Sequence, residues 1–463
     1  MLHGGTIVQR MTVQENLVGV ALFISGVVVM VIAIAASIAL HEIGHLVPAK
    51  IFRVRVPQYM IGFGKTLFSV KRGETEYGLK AIPLGGYIAM VGMYPPGATR
   101  DPQKKPGPLA DIYDEARRAD AKRILATDKG RLFYQLPVWK KIIIMLGGPT
   151  MNLLIGVLCL AVLILGFGQQ QPTTTISSVS QCVQKVSATN VDNAASDGCG
   201  NDAPQSPAAE AGIEPGDKIL SFAGTEVSSW DQLNELIRSH ANQSVPVTVQ
   251  RDGTRTELTI EPMLTARPVL NELTGQYEKN ADGTYQTVEV GFIGVGPTSE
   301  LTPGTVSDVL PTVGQNLQQI GSTLIKLPVR VWGVAQTLLT NGERAADSPV
   351  SVVGVGRIAG EVAATDKIDL HSKVASLVSL IGSMNLMLFV FNLIPLLPLD
   401  GGHVLGALWE GIRKIWAKLR GKSSPGAFDP VKLLPLTWIV AGAFLAMSGI
   451  LILADVFKPV SIF

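Results

Sequence analysis

Charge is scarce in this sequence. Only 16% of its 463 residues are Asp, Glu, Lys or Arg, against 47% hydrophobic residues, and the mean hydropathy is +0.31. That balance excludes an ordinary soluble globular protein. A formal net charge of +2 leaves no basic excess for a polyanion, so nucleic acid is not expected as a partner. Cysteine is almost absent: there are three, none at the spacing of a zinc-ligand set, which excludes a thiolate site. Histidine is nearly as sparse, at six, so a zinc site has to rely on imidazole and carboxylate.

What the chain does have is long apolar runs. Residues 17–46, 142–168, 374–399 and 433–457 are each long enough for the roughly 20 residues that a ~30 Å hydrocarbon core requires. Charge is segregated between them. Residues 47–141 hold 18 Lys/Arg against 8 Asp/Glu, residues 169–375 hold 13 against 23, and residues 404–432 hold 6 against 2. By the positive-inside rule the two basic segments are cytoplasmic, which sets the acidic segment and both termini outside. The first run is too long for a cleavable signal peptide and lacks a small-residue cleavage site, so it is expected to remain as a span.

That first run ends in His41-Glu42-Ile43-Gly44-His45. Helical residues four apart share a face, so His41 and His45 can present two imidazole nitrogens to one Zn²⁺, with Glu42 reaching the position where a water would sit. The plainer alternative is a polar cap on an apolar helix. Against it stands cost: such a trio at the lip of hydrocarbon is expensive unless paired, metal-bound or facing a water-filled cavity. The third run passes Asn392, Pro395 and Pro398 and reaches Asp400-Gly401-Gly402-His403. Counting 1.5 Å per residue from opposite faces brings Asp400 and the histidines to the same cytoplasmic-side level. An aspartate there needs a partner, and a zinc already holding two imidazoles provides one. Glu74, Glu76 and His403 are rivals for the third position. The two glutamates lie in a charged strand region, and His403 is three residues beyond Asp400.

Residues 54–93 change to a β-rich pattern punctuated by Gly62, Gly64, Gly73, Gly78, Gly85 and Gly86. A small hairpin or sheet there would offer an edge for an extended peptide; a scaffold plugging the cavity is the other reading. Residues 94–141 are polar, with a helix-prone run over 111–125, and Lys140-Lys141 suits an anionic inner leaflet. The second run opens with Gly147-Gly148-Pro149 and Asn152, a polar group that either lines the site or bonds a neighbouring helix. Cys159 within it reads as a packing residue. Cys182 and Cys199 fall in the outer segment, where a disulfide is permitted and would stabilise the fold by about 3 kcal/mol in the chain-entropy model; two free thiols are the alternative. A helix over 230–239 and two alternating strands about Asp252-Gly253 follow. Residues 170–262 resemble a PDZ domain of the bacterial protease-associated type, a module that takes peptide ends or strands by β-augmentation. A hairpin over 275–295, a surface helix over 313–339 interrupted at Pro328, and a fourth span with the single acid Asp455 complete the chain.

The order of these features is similar to that of a known group. His41 to His45 closing the first span, Gly148-Pro149 with Asn152 opening the second, one PDZ-like insert and the stretch from Asn392 to Gly401 resemble the site-2 protease family. The likeness is to bacterial regulated intramembrane zinc metalloproteases of the RseP or Rip type, and it covers nearly all of the chain. It implies an α-helical membrane protein: a four-span transmembrane bundle with a cytoplasmic-side re-entrant β segment and one extracytoplasmic PDZ-like domain. The expected order is a first span with the histidine pair (1–53), the re-entrant β segment (54–93), a charged cytoplasmic insert (94–141) and a second span (142–169). The PDZ-like domain (170–262), an extracytoplasmic hairpin with membrane-surface helices (263–373), a third span through Asp400 (374–403), a cytoplasmic loop (404–432) and a fourth span (433–463) follow.

The resemblance further implies Zn²⁺ held by His41, His45 and Asp400, Glu42 as general base, and Asn392 near the substrate backbone or oxyanion. Implied partners are the lipid bilayer and single-span membrane substrates such as anti-sigma factors, already cut outside by another protease. Two other classes fit parts of the pattern. A membrane zinc transporter would spread polar groups along a pore, whereas here they gather at one level. A catalytically inactive PDZ docking protein would lack a ligand or the base, and neither is missing.

Overall fold

The computed structural model describes residues 4–96, 109–183, 199, 203–271, 276–277, 280, 284–340, 344 and 348–460. They form two compact units, residues 1–163 with 307–463, and residues 164–306. Four helical segments are long and apolar enough to cross a membrane: Leu17–Ile51, Val138–Phe167, Leu370–Asn392 and Pro430–Phe457.

Helix α1 (Gly4–Ile51) carries the first of these. Beyond it β1 (Gln58–Arg72) and β2 (Thr75–Ala89) fold on each other twice. Arg72 faces Thr75 across the hairpin turn, while Tyr59, near the start of β1, lies between Tyr77 on one side and Ile88 on the other. Gly62 and Gly64, at φ of 88° and 85°, supply the left-handed backbone that this doubling back requires. Helix α2 (Ala110–Ala121) is shorter than the expected run over 111–125. A turn over Ala126–Asp128 follows, and Asp128 accepts two bonds from Arg55, at 2.8 and 2.9 Å. This buried pair pins the base of the hairpin to the chain leading into α3 (Val138–Val162). Leu46, Val54, Val56, Tyr59, Phe133 and Ile144 pack together around it.

The second unit runs β3 (Gln169–Val179), α4 (Pro207–Glu210), β4 (Lys218–Phe222), β5 (Thr225–Glu226), α5 (Trp230–Ser239), β6 (Val245–Arg251) and β7 (Thr254–Ile260). Strands β8 (Met263–Pro268), β9 (Leu270–Asn271), β10 (Gln276–Tyr277), β11 (Thr287–Phe292) and β12 (Val295–Thr302) complete it. The main sheet has the order β12-β3-β4-β6-β7, with β5 beside β4. Val245, Val247 and Val249 alternate inward onto Ile219, Phe222 and the apolar side of α5. The sheet does not stop at residue 262: β12 forms its edge against β3, a pairing more than a hundred residues apart in sequence. The hairpin expected over 275–295 is correspondingly different, since β11 pairs with β8 and β12 departs to the main sheet.

Helices α6 (Val306–Leu339), α7 (Val352–Ala364), α8 (Leu370–Asn392), α9 (Asp400–Leu419) and α10 (Leu434–Phe457) belong to the first unit. Helix α6 runs unbroken through Pro311 and Pro328. The roughly 3 kcal/mol that an interior proline costs is offset where Val331 and Val334, just past Pro328, pack on Leu451 and Ala454 of α10. Helix α7 lies close along the first half of the α1 span, with Gly26 against Ala359 and Gly360 against Phe23. Helix α8 ends at Asn392 rather than running to residue 399, because Pro395 and Pro398 have no N–H to extend it. The segment 404–432, expected as a loop, instead opens with most of the 20-residue α9. Lys141 of α3 donates to Glu410 of α9 at 2.8 Å, and Lys414 and the Phe428 amide donate to the same carboxylate. Asp455 of α10 is buried as well, accepting from Arg344 at 2.7 Å and the Ser351 amide at 2.6 Å.

Candidate metal centre

Helices α1 and α3 meet at glycines. A β-carbon on Gly44 would strike the carbonyl of Gly147, and one on Gly147 would strike that of Gly44, so the backbones approach as closely as small residues permit. This contact sets α3 against the histidine face of α1. His45, 5% exposed, donates from Nδ1 to the Ile144 carbonyl at 2.7 Å. That bond fixes the tautomer and leaves the Nε2 lone pair pointing inward.

Three atoms converge there. His41 Nε2 lies 3.2 Å from His45 Nε2, and Asp400 Oδ2 is 3.3 Å from each. Zinc–ligand bonds of 2.0–2.1 Å in a tetrahedron separate neighbouring ligands by about 3.3 Å, so the three atoms match one tetrahedral face. Two imidazole lone pairs and a carboxylate oxygen that close repel each other unless a cation sits among them. His41 completes the pattern: its Nδ1 is 3.1 Å from Asn152 Nδ2, while the buried Asn152 Oδ1 meets no donor among the described residues. Half a turn of the Asn152 amide leaves its shape unchanged and brings that oxygen to His41 Nδ1–H. Both rings then share one tautomer, each held from behind, as metal-ligating imidazoles are. The donor set fits zinc.

Asp400 reaches this place through a turn that only glycine allows. A β-carbon on Gly401 would collide with the Leu393 and Ile394 carbonyls, and one on Gly402 with the backbone of Leu396 and Leu397. Residues 393–397 thus fold against the start of α9 and put Asp400 at its first position, where the helix dipole favours a carboxylate. Glu42, 8% exposed, is covered by β2: a β-carbon on Gly86 would lie 3.0 Å from its Cγ. Tyr59 of β1 donates to the Ala39 carbonyl at 2.8 Å, fastening the hairpin to this turn of α1.

The rivals for the third position are elsewhere. Glu74 is paired with Arg131 at 2.6 Å, Glu76 accepts from Gln58, and His403 lines a small cavity with Lys141, Glu410 and Phe428. Asn392 closes α8, half-buried, and no hydrogen bond links its side chain to the cluster among the described residues. Cys182 and Cys199 are joined, with sulfurs 2.02 Å apart. One polar contact was missed from sequence. Asn385 of α8, fully buried, donates to Ser37 Oγ at 3.0 Å, one turn before His41 on α1. The signal for it was an amide inside an uncharged run.

The model for Peptidase family M50 matches residues 29–424. The chain is 31% identical to Zinc metalloprotease Rip1 of Mycobacterium tuberculosis over 446 residues, covering 96% of this chain and 100% of the relative. It is 30% identical to Zinc metalloprotease Rip1 of Mycolicibacterium smegmatis, covering 95% and 98%. Metalloprotease MmpA of Caulobacter vibrioides is 27% identical over 85% of this chain and 88% of its own length.

Proposed function

Because the chain belongs to peptidase family M50 and is a membrane zinc metalloprotease, we propose that it cleaves peptide bonds inside the transmembrane segments of single-span proteins. The observation that carries this reading is the tetrahedral face formed by His41 and His45, near the end of the span-length α1, with Asp400, just beyond the span-length α8. In this reading those three residues hold Zn²⁺, which when bound supplies Lewis-acid polarisation of a water and of the scissile carbonyl. Glu42 takes the attacking water's proton and delivers it to the leaving amine. Its cover of β2 keeps the carboxylate away from bulk water and close to the histidine turn. The substrate helix has to unwind locally, since a helical carbonyl is already bonded. The β1–β2 edge offers the freed backbone new partners, and Asn392 contacts the substrate chain near the end of α8.

The expected substrates are proteins such as anti-sigma factors that have first been cut outside the membrane, which places the enzyme in transmembrane signalling. The unit over residues 164–306 acts in this reading as a PDZ-like module on the extracytoplasmic side, where its Cys182–Cys199 bond is chemically at home. The basic segments 47–141 and 404–432 then face the cytoplasm, with the metal centre towards that side. The zinc transporter and the inactive docking protein are not retained. The relatives are zinc metalloproteases, and the donor set stands beside Glu42.

The test is cleavage of a purified single-span substrate by full-length protein and by Glu42→Gln, with metal analysis of both. The expected result is zinc in both proteins and cutting only by the parent. Cleavage retained by the variant would overturn Glu42 as base. Product masses that place every cut outside the substrate's apolar stretch would overturn the intramembrane reading.

A further inference from the structure

Helix α9 has two apolar faces, and the protein covers one of them. Gly406, Ala407, Glu410 and Ala417 are buried. On another side Leu405, Leu408, Trp409, Ile412, Trp416 and Leu419 recur at three- and four-residue steps, each between 47% and 79% exposed. A continuous apolar stripe of this size marks an interaction surface. Cations crowd the same end of the helix: Arg413, Lys414, Lys418, Arg420 and Lys422 lie within ten residues. Glu410, one turn before them, is already engaged by Lys141 and Lys414.

A groove of about 410 Å³ opens among Trp409, Arg413, Trp416, Arg420, Lys422 and Pro425. The Arg420 guanidinium lies over the Trp416 ring, 4.3 Å from its centre. Arg413 donates from Nη2 to the Gly426 carbonyl at 2.9 Å, while its buried Nε finds no acceptor among the described residues. Chain connectivity places this groove. Seven residues join α9 to the span-length α8, and the next span begins at Pro430, so α9 is tethered at both ends to one surface of the bilayer.

We propose that α9 lies in the membrane interface and that this groove binds the headgroup of an anionic phospholipid. Tryptophan belongs at headgroup depth, a leucine- and isoleucine-rich face enters the acyl boundary, and arginine meets a phosphodiester with directed hydrogen bonds. A second copy of this chain would bring like charges together, and a soluble acidic peptide would leave the apolar stripe in water. A lipid satisfies both halves of the surface.

The test uses the full chain in nanodiscs of phosphatidylcholine with rising phosphatidylglycerol, one or the other brominated, reading quenching of tryptophan fluorescence. Brominated phosphatidylglycerol is expected to quench at a lower mole fraction than brominated phosphatidylcholine, and the Trp409→Phe/Trp416→Phe variant to lose that difference. Each cation near an anionic surface contributes about fivefold. Arg420→Gln/Lys422→Gln, which alters two exposed side chains, should therefore raise the half-quenching fraction by at least about fivefold, and Arg420→Lys should leave it near the parent value. Excess inorganic phosphate should not compete, which separates a lipid from a free anion; competition would overturn the lipid assignment. Equal quenching by the two lipids, or shielding of both tryptophans that grows with protein concentration as a dimer forms, would overturn the proposal.

Discussion

Gly148 stands against the metal-facing edge of both imidazoles: a β-carbon there would come 2.7 Å from Nε2 of His41 and closer still to Nε2 of His45. Alanine is otherwise the better helix residue, by up to about 1 kcal/mol. Gly148→Ala is therefore expected to leave the helix intact while pushing the histidines out of register. Zinc content and chelator competition should show affinity lowered by about 100-fold or more, with little change in thermal unfolding of the metal-free protein.

Asn152 tests the support of the site rather than its volume. Removing the partner behind a ligating imidazole costs about 10- to 100-fold in metal affinity. Asn152→Ala should fall in that range. Asn152→Asp, which keeps an acceptor facing His41 Nδ1, should retain more zinc than the alanine variant in the same competition.

Lys141 and Glu410 are both almost completely buried. Glu410→Gln leaves the ammonium without its countercharge, so stability should drop by about 3–5 kcal/mol. Lys141→Met/Glu410→Met removes both charges and should cost less than the single change, measured by unfolding in mild detergent. Because α9 begins with Asp400, the single variant should also lose zinc more readily.

Asp217 in the second unit gives a pH dependence. Arg251 donates to both its oxygens at 2.7 Å, and the Glu214 amide adds a third bond at 2.9 Å. The Arg251 bonds, chiefly, hold this carboxyl below the usual range despite its burial. A carboxylate depressed in the folded state stabilises fully above its unfolded value, about 3.9, and that contribution disappears as pH falls through the folded value. Protection against hydrogen exchange at Ile219 and Val247 in the full chain, taken relative to the intrinsic rate at each pH, should thus fall below about pH 4. Asp217→Asn should lower that protection at neutral pH and flatten its acid response.

Local periodicity made much of this molecule legible. His41 and His45 announced themselves by helical spacing, and the β6–β7 hairpin by alternation about Asp252-Gly253. Asp400 needed only counting from the opposite end of a span. What stayed hidden depended on partners distant in sequence. The edge place of β12 is set by β3, the Ser37–Asn385 bond by the approach of α1 to α8, and the continuity of α6 through Pro328 by α10. Helix α9 was obscured differently: residues 404–432 were expected as a charged loop between spans, although the apolar spacing in their first half is helical. Asn392 rests on the family motif, since its side chain makes no bond to the cluster.

The place of Asp400 at the first position of α9 has a mechanical consequence. Twenty residues make a rod about 30 Å long, and the buried Glu410 lies about 15 Å from Asp400. A tilt of about 5° about that point would displace Asp400 by about 1.3 Å, several times the ~0.2 Å tolerance of a zinc bond. Any tilt of α9 about Glu410 would thereby be magnified at the metal centre.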